Sequence, residues 1–370
     1  MARIVIAPDS FKGSATSGEA ANAIARGWRS LRSDDEVICI PMADGGEGTL
    51  LAIEAVQPDA VRTYVDVIGP DGRDVRAYWL LGSEATAYVE LAQSSGLTLM
   101  ATRDAMGAHT FGLGQVLANA CADARVRKIV IALGGSASTD GATGALAALG
   151  YQFLDREGVP IPLGGQSLIT IDRILNTNVI APPVDGVVAL VDVNAPLLGA
   201  NGAAAIFAPQ KGARDSDVIA LENGLRHFAS LVGRADCAGS GAAGGSAYGL
   251  RTLWGAALAS GAELISKMTN IDDEIRSADL VITGEGQLDA QSFSGKILGD
   301  LTHRAHSAGI EIYYCVGDYV KESAPADSAV FTLKSLALSS QDAMSDAITY
   351  LEMTGAAMAR KYSLSVGSSD

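Results

Sequence analysis

Between Ala278 and Lys296 the chain reads ADLVITGEGQLDAQSFSGK, an arrangement that few architectures accommodate. Asp279 to Thr283 is a short apolar run rich in β-branched residues, the length of one buried strand. Gly284-Glu285-Gly286 is expected to break that strand, with two glycines letting the backbone turn sharply. Asp289, Gln291, Ser292 and Lys296 follow, and helical spacing resumes at Ile297, Leu301, Ala305 and Ala308. Strand, glycines, polar cluster and helix in that order present a site at the carboxyl end of a strand in an open α/β sheet.

Three further stretches have the same build. Arg3 to Ala7 is a predicted strand, and Asp9, Ser10 and Lys12 sit in the turn after it. The capping box Thr16-x-x-Glu19 then opens a helix striped by Ala20, Ile24, Trp28 and Leu31. A helix N-terminus with free amides suits an anion, although Asp9 or Ser10 capping the turn explains the residues as well. Val37 to Met42 is a second strand, followed by Asp44-Gly45-Gly46-Glu47-Gly48-Thr49. Carboxylates at Asp44 and Glu47 among glycines suit a hard cation such as Mg²⁺, which takes oxygen ligands. Lys128 to Leu133 is a buried strand ending in Gly134-Gly135-Ser136-Ala137-Ser138-Thr139-Asp140-Gly141. Amides and hydroxyls of such a loop hold phosphate oxygens, which makes Gly134, Gly135, Ser136, Ser138 and Asp140 the nucleotide-phosphate candidates.

Val187 to Val191 is another strand, with Asp192 and Asn194 at its carboxyl end and Lys211 downstream in Pro209-Gln210-Lys211-Gly212. Asp192 and Asn194 suit a metal or a substrate hydroxyl, and Lys211 a phosphate or carboxylate. The pattern changes from Val61 to Leu91. Two β runs flank Gly69-Pro70-Asp71-Gly72 as an antiparallel hairpin, Thr86 to Glu90 adds a strand, and together they read as an inserted unit.

With 370 residues, two domains are expected. A net charge of −15 argues against nucleic acid and anionic membranes as partners. The same charge makes the lysines beside glycine loops more informative, because an anionic substrate needs a local cation. Cys39, Cys121, Cys237 and Cys315 lie far apart without zinc spacing and read as free thiols in a reducing cytoplasm. No run reaches the roughly 18 apolar residues of a membrane span, and the N-terminus lacks the pattern of a signal peptide. Gly239-Ser240-Gly241-Ala242-Ala243-Gly244 matches the dinucleotide fingerprint, but no strand precedes it and the match is rejected. His303 and His306 read as surface histidines.

The ordered set Asp9-Ser10-Phe11-Lys12-Gly13, Asp44 to Thr49, Gly134 to Ala137, Asp192-Val193-Asn194, Pro209 to Ala213, Gly241 to Gly245 and Thr283 to Gly286 resembles the bacterial glycerate kinase family, of the glycerate 2-kinase type, over nearly the full length. The resemblance implies ATP-dependent, Mg²⁺-assisted phosphorylation of D-glycerate, usually at the 2-hydroxyl. It also implies two α/β domains, one a flavodoxin-like open parallel sheet carrying an inserted mixed α/β domain, with the site in the interdomain cleft. Residues 1–60 plus 270–370 are assigned to the first and 61–269 to the second, with 101–150 open between them. Some positions depart from the family pattern. Gln287 stands where the pattern has arginine, Asp318 where a small residue is usual, Ser138-Thr139-Asp140-Gly141-Ala142 for T-N-D-G-G, and Leu298 for a proline. Gln cannot replace the bidentate contact of an Arg.

The expected roles follow from pattern and resemblance together. Asp192, Asp289, Lys296 and Lys12 are the catalytic candidates, with base and metal ligand unassigned between the two aspartates. Asp9, Ser10, Asp44, Asn194, Lys211 and Glu285 are assigned to the substrate, and Asp44, Glu47 and Asp192 to the metal. The partners are a small hydroxy acid and ATP, with a homo-oligomer allowed. The alternatives are a kinase of a related hydroxy or sugar acid, an inactive hydroxy-acid or nucleotide sensor, and a nicotinamide oxidoreductase resting on the rejected glycine match. The many carboxylates gathered among the glycines argue against the sensor.

Overall fold

The computed structural model describes residues 1–11, 13–289, 292–293, 297–320 and 328–367. In chain order the strands are β1 (Arg3–Ile6), β2 (Glu36–Cys39), β3 (Val61–Ile68), β4 (Asp74–Leu81), β5 (Thr86–Glu90), β6 (Lys128–Ala132) and β7 (Gln152–Leu154). They continue with β8 (Arg173–Leu175), β9 (Val187–Leu190), β10 (Ala257–Ala259), β11 (Leu280–Leu288), β12 (Glu311–Tyr319) and β13 (Ala329–Thr332). The chain divides into two compact units, residues 1–44, 51–56 and 262–370 forming one and residues 45–50 and 57–261 the other.

In the first unit five parallel strands run in the order β2-β1-β11-β12-β13. This is the flavodoxin-like order, and its direction reverses between β1 and β11, the place where such sheets open a crevice. The helix Ser17–Arg29 begins at the expected capping box, with Thr16 Oγ1 accepting from Glu19 N and the Glu19 carboxylate accepting from Thr16 N. Its apolar face buries Ile24 and Trp28 against Ile4, Ile6, Leu351 and Met358. Gly27 and Gly355 let this helix and the helix Ala347–Gly367 cross almost backbone to backbone. A Cβ on Gly27 would stand 1.8 Å from Glu352 O, and one on Gly355 2.2 Å from Ile24 O.

One expectation needs correction here. The strand does not break at Gly284, because β11 runs on to Leu288 and stays in register with β12, Gly284 opposite Cys315 and Gln287 opposite Asp318. Gly284 is there for close approach and not for a turn. A Cβ on it would lie 1.7 Å from Cys315 O, and one on Gly317 would lie 2.3 Å from Gly286 O. After β13 come two helices, Ser340–Ser345 and Ala347–Gly367, parted at Asp346.

In the second unit six strands run β10-β9-β6-β5-β4-β3. The first four are parallel and the last two add the expected antiparallel hairpin. A core of Trp79, Leu113, Ile129, Ile131, Leu146 and Phe228 packs the sheet against its helices. The parallel strands finish level. Glu90 is opposite Ala132, Ala132 opposite Leu190, and Leu190 opposite Ala259. Whatever follows each strand therefore emerges along one edge.

Among the described residues no helix is long and apolar enough to cross a membrane, and all four cysteines are free. The glycine match at 239–244 is preceded by irregular chain, as its rejection requires. His303 and His306 are exposed on the helix Ile297–Ala308.

Candidate functional site

Each unit gathers its candidate residues at the carboxyl ends of its parallel strands. In the first unit a cavity of about 450 Å³ opens at the β1/β11 reversal. Asp9, Ser10, Asp44, Glu285 and Asp289 line it, so four of the substrate candidates and one catalytic candidate come together. Short polar links hold this rim. Asp9 N donates to Gly284 O at 2.8 Å, Thr283 Oγ1 donates to Ala7 O at 2.9 Å, and Asp289 N donates to Ser292 Oγ at 3.0 Å. Gln287 and Asp318, the two departures from the family pattern, also line the cavity. Lys334 donates to Asp318 at 2.6 Å, and that bond holds the Asp318 carboxyl below the usual carboxylate range. Leu333, Ala343, Met344, Ala347 and Phe11 complete the wall. Lys12 and Lys296 lie outside the described residues.

In the second unit the edge of four level strands carries Glu90, the loop 134–141, Asp192 and Ser260. Gly45 (φ +88°) brings the loop 45–50 down onto that edge, so close that a Cβ there would meet Leu190 Cβ at 3.0 Å and Asp192 Oδ2 at 3.4 Å. Gly134 N donates to Gly45 O at 3.1 Å, and a Cβ on Gly134 would stand 2.3 Å from Gly46 Cα. Side chains cannot be fitted between these two loops, which is why glycine occupies both. Glu47 is exposed above Gly135. Asp192 is half-buried and its Oδ1 accepts from Ser260 Oγ at 3.0 Å and Gly261 N at 3.1 Å. Asn194 stands exposed on the same loop.

Glu90 is a functional candidate that the sequence reading missed. It is 1% exposed, and its two oxygens accept from Gly48 N at 3.2 Å and Leu50 N at 3.1 Å. Burial pushes its carboxyl up, and those two amides oppose the shift. The residue is an anchor for the loop that carries Glu47. The sequence signal was an acid closing a strand whose every residue is buried.

The phosphate-loop candidates divide by access. Gly134 and Gly135 reach solvent, and Ser136 keeps 7% of its surface. Ser138 and Asp140 are fully buried. Asp140 organises the loop from inside, accepting from Thr110 N, Thr110 Oγ1 and Gly144 N at 2.8 to 3.2 Å. Lys211 is buried too, donating to Ser136 Oγ at 2.9 Å and to Ser138 O. Burial lowers its ammonium to about 7, against the pull of Asp140. Gly244 (φ +64°) buttresses the loop from below, where a Cβ would stand 2.1 Å from Ser138 O. Ser138 Oγ and Thr139 Oγ1 have no hydrogen-bond partner among the described residues. Since Gly134 N is given to Gly45 O, the donors that remain at this end of the loop are the backbone amides of Gly135 and Ser136, with the buried charge of Lys211 beneath.

Among the described residues no three His, Cys, Asp or Glu side chains converge into a closed metal site. The donors that do line both strand edges are carboxylate oxygens. That chemistry suits Mg²⁺, which is held by one or two carboxylates together with phosphate oxygens.

Residues 4–363 match the profile of the Glycerate kinase family. The chain is 40% identical over 305 residues to glycerate 2-kinase of Escherichia coli K12, covering 80% of each protein. It is 38% identical over 368 residues to glycerate kinase of Halalkalibacterium halodurans, covering 95% of this chain and 96% of that one. A crystal structure from Salmonella typhimurium LT2, described as a glycerate kinase 2, superposes with a TM-score of 0.79 at 34% identity and full coverage of both chains.

Proposed function

The chain belongs to the glycerate kinase family, and on that footing we propose that it transfers the γ-phosphoryl group of ATP to D-glycerate at the 2-hydroxyl, with Mg²⁺. Phosphoryl transfer asks little covalent chemistry of a protein; it asks for positioned phosphates, neutralised charge and a carboxylate near the acceptor hydroxyl. The amides of Gly135 and Ser136 take the phosphates, with Gly134 letting the loop lie close against Gly45 and Gly46. Asp9, Ser10, Asp44 and Glu285 hold the acceptor, with Asn194 as a further contact to it. Asp192 and Asp289 share the roles of base and metal ligand, and Asp44 and Glu47 are the other metal candidates. Mg²⁺ supplies charge neutralisation at the phosphates. Lys12 and Lys296 are assigned to transferring or substrate anions by resemblance. Lys211 acts from beneath the phosphate loop and not as a ligand contact, because its side chain is buried there and donates to Ser136 and Ser138.

The observation that carries this reading is the level carboxyl edge of β5, β6, β9 and β10, where Glu90, Gly134, Asp192 and Ser260 all emerge. A second reading, a related hydroxy acid as acceptor, is favoured by Gln287 and Asp318, which stand opposite each other in β11 and β12 and both face the cavity. The test is Mg-ATP consumption against D- and L-glycerate, glycolate, tartronate and longer sugar acids, with ³¹P NMR of the product. A 2-phospho signal from D-glycerate supports the first reading. Transfer to another acid alone selects the second, and nucleotide binding without any transfer removes both.

A further inference from the structure

β3 ends the six-stranded sheet, and among the described residues it pairs with β4 alone. Its eight residues keep an unbroken register with β4 and hold no proline, lysine or bulge. Those are devices that blunt an exposed edge, and without them this edge is able to take another strand. Gly69 N donates to Arg73 O, which fixes the alternation along the ladder. The odd-numbered residues of β3 turn their backbone groups to β4, and Arg62, Tyr64 and Asp66 turn theirs away from it. Ile68 N agrees, donating to Gln115 Oε1 at 2.7 Å and not to β4. Arg62, Tyr64 and Asp66 are also exposed, with their side chains on one face. That face is ordered by its neighbours in β4. The Tyr64 ring lies 5.8 Å from Tyr78, Arg76 sits over Tyr64 at 4.9 Å, and Arg62 sits over Tyr78 at 4.8 Å.

We propose that a second copy of this chain adds its own β3 antiparallel to this edge, about a two-fold axis at Tyr64. Charge selects both the partner and the register. With the axis at Tyr64, Arg62 of each copy stands opposite Asp66 of the other, and the two Tyr64 side chains meet. Opposite charges directly across a pair of strands attract, and like charges there repel. An axis at Arg62 or at Asp66 sets like charges together. An axis at Thr63 sets Arg62 against Tyr64 and Asp66 against Ala60, and one at Val65 sets Asp66 against Tyr64 and Arg62 against Ile68. Only the axis at Tyr64 pairs both charges. It also brings the outward backbone groups of residues 62, 64 and 66 opposite one another, and each such pair exchanges two hydrogen bonds. The aromatic pair Tyr78–Tyr64 then continues across the axis into its copy. Each chain carries a net charge of −15, so two copies repel at a distance and need a local match of this kind to associate. The inference is independent of which acid the protein phosphorylates.

The test is sedimentation velocity of the full chain from about 1 µM to about 100 µM, a range that reads a micromolar Kd. Wild type is expected to reach twice the mass of the single chain. Arg62→Asp and Asp66→Arg each place like charges across the axis, and each alone is expected to weaken self-association about tenfold or more. Mixing the two variants in equal amounts sets aspartate against arginine at both ends again and is expected to restore the dimer. Carrying both exchanges in one chain does the same. Asp66→Arg also brings two arginines together across β3 and β4, at positions 66 and 76, so thermal unfolding of each variant is measured alongside. If either variant is unfolded, Tyr64→Pro replaces it, because an amide facing away from β4 can be lost on an edge strand without breaking the ladder. That variant is expected to be monomeric, and a dimer in its place overturns the proposal. A wild type that stays monomeric throughout also overturns it, as does a dimer indifferent to both charge exchanges. Folded single variants that are monomeric but recover neither on mixing nor with both exchanges in one chain overturn it too.

Discussion

Lys211 Nζ donates to Ser136 Oγ across 2.9 Å from a side chain that keeps 2% of its surface. A buried ammonium committed to a loop hydroxyl and to Ser138 O is a strut for the loop whose amides are proposed to meet phosphate. Replacing it by a hydrophobe of similar length leaves both partners buried and unpaired, at about 1–3 kcal/mol for each group. Lys211→Met is therefore expected to remain folded at reduced stability and to lose roughly 10²-fold in kcat/KM for ATP, the scale of a misplaced binding element. A variant with unchanged kcat/KM would remove the strut from the catalytic account.

The same residue makes a signed prediction in pH. Its folded value of about 7 lies below its ordinary value of 10.5, so between those two limits the unfolded chain holds a proton that the folded chain has released. Folding stability then rises with pH across that window, by up to about 1.4 kcal/mol per unit for a single proton. Below pH 7 both states are protonated and the contribution is flat. Urea unfolding of wild type and Lys211→Met at pH 7, 8 and 9 is expected to show a more positive slope for wild type. Parallel slopes would mean that Lys211 titrates near its ordinary value.

Glu90 acts on the opposing loop. Glu90→Ala orphans the amides of Gly48 and Leu50, while Glu90→Gln keeps one acceptor and presents a donor to the other amide. Losses of about 1–3 kcal/mol are expected for alanine, with glutamine intermediate. Calorimetry should place the alanine variant several degrees lower in Tm. Activity is expected to fall further than stability alone explains, because Glu47 rides on the freed loop. Full activity in a destabilised Glu90→Ala protein would confine the residue to folding.

Much of this was legible in the residues. The capping box at Thr16, the hairpin around Gly69 to Gly72 and the strands before Asp9, Asp44, Gly134 and Asp192 show in hydrophobic period and turn chemistry alone. Pattern places a residue along its strand, which is why the carboxylates at the strand ends could be named. It carries no information about what lies across the sheet. Nothing local says that Ser138 is buried while Gly135 is open, that Lys211 reaches back seventy-odd positions to Ser136, or that Gly244 supports Ser138. The glycines of the rejected dinucleotide match were conspicuous for a tertiary reason, namely the space taken by another loop.

Gly284 separates the two uses of glycine most sharply. Its φ lies outside the left-handed region, and the space its Cβ would take is filled by the backbone oxygen of Cys315 at 1.7 Å. Gly309 is the converse case, with φ at +73° and nothing within 4 Å of the place a Cβ would occupy. Alanine at 309 carries only the conformational strain, about 1 kcal/mol. Alanine at 284 must push β11 and β12 apart along a ladder that runs from Leu280 to Leu288, and overpacking of that kind costs about 1–3 kcal/mol or more. The Glu285 side chain sits one residue along that ladder, at the cavity rim, so the displacement reaches the proposed acceptor site as well. Gly284→Ala is expected to unfold at lower urea than Gly309→Ala and to raise KM for glycerate, while Gly309→Ala leaves KM unchanged. Equal midpoints for the two variants would show that the strands yield to a methyl group, and that close approach is not what keeps glycine at 284.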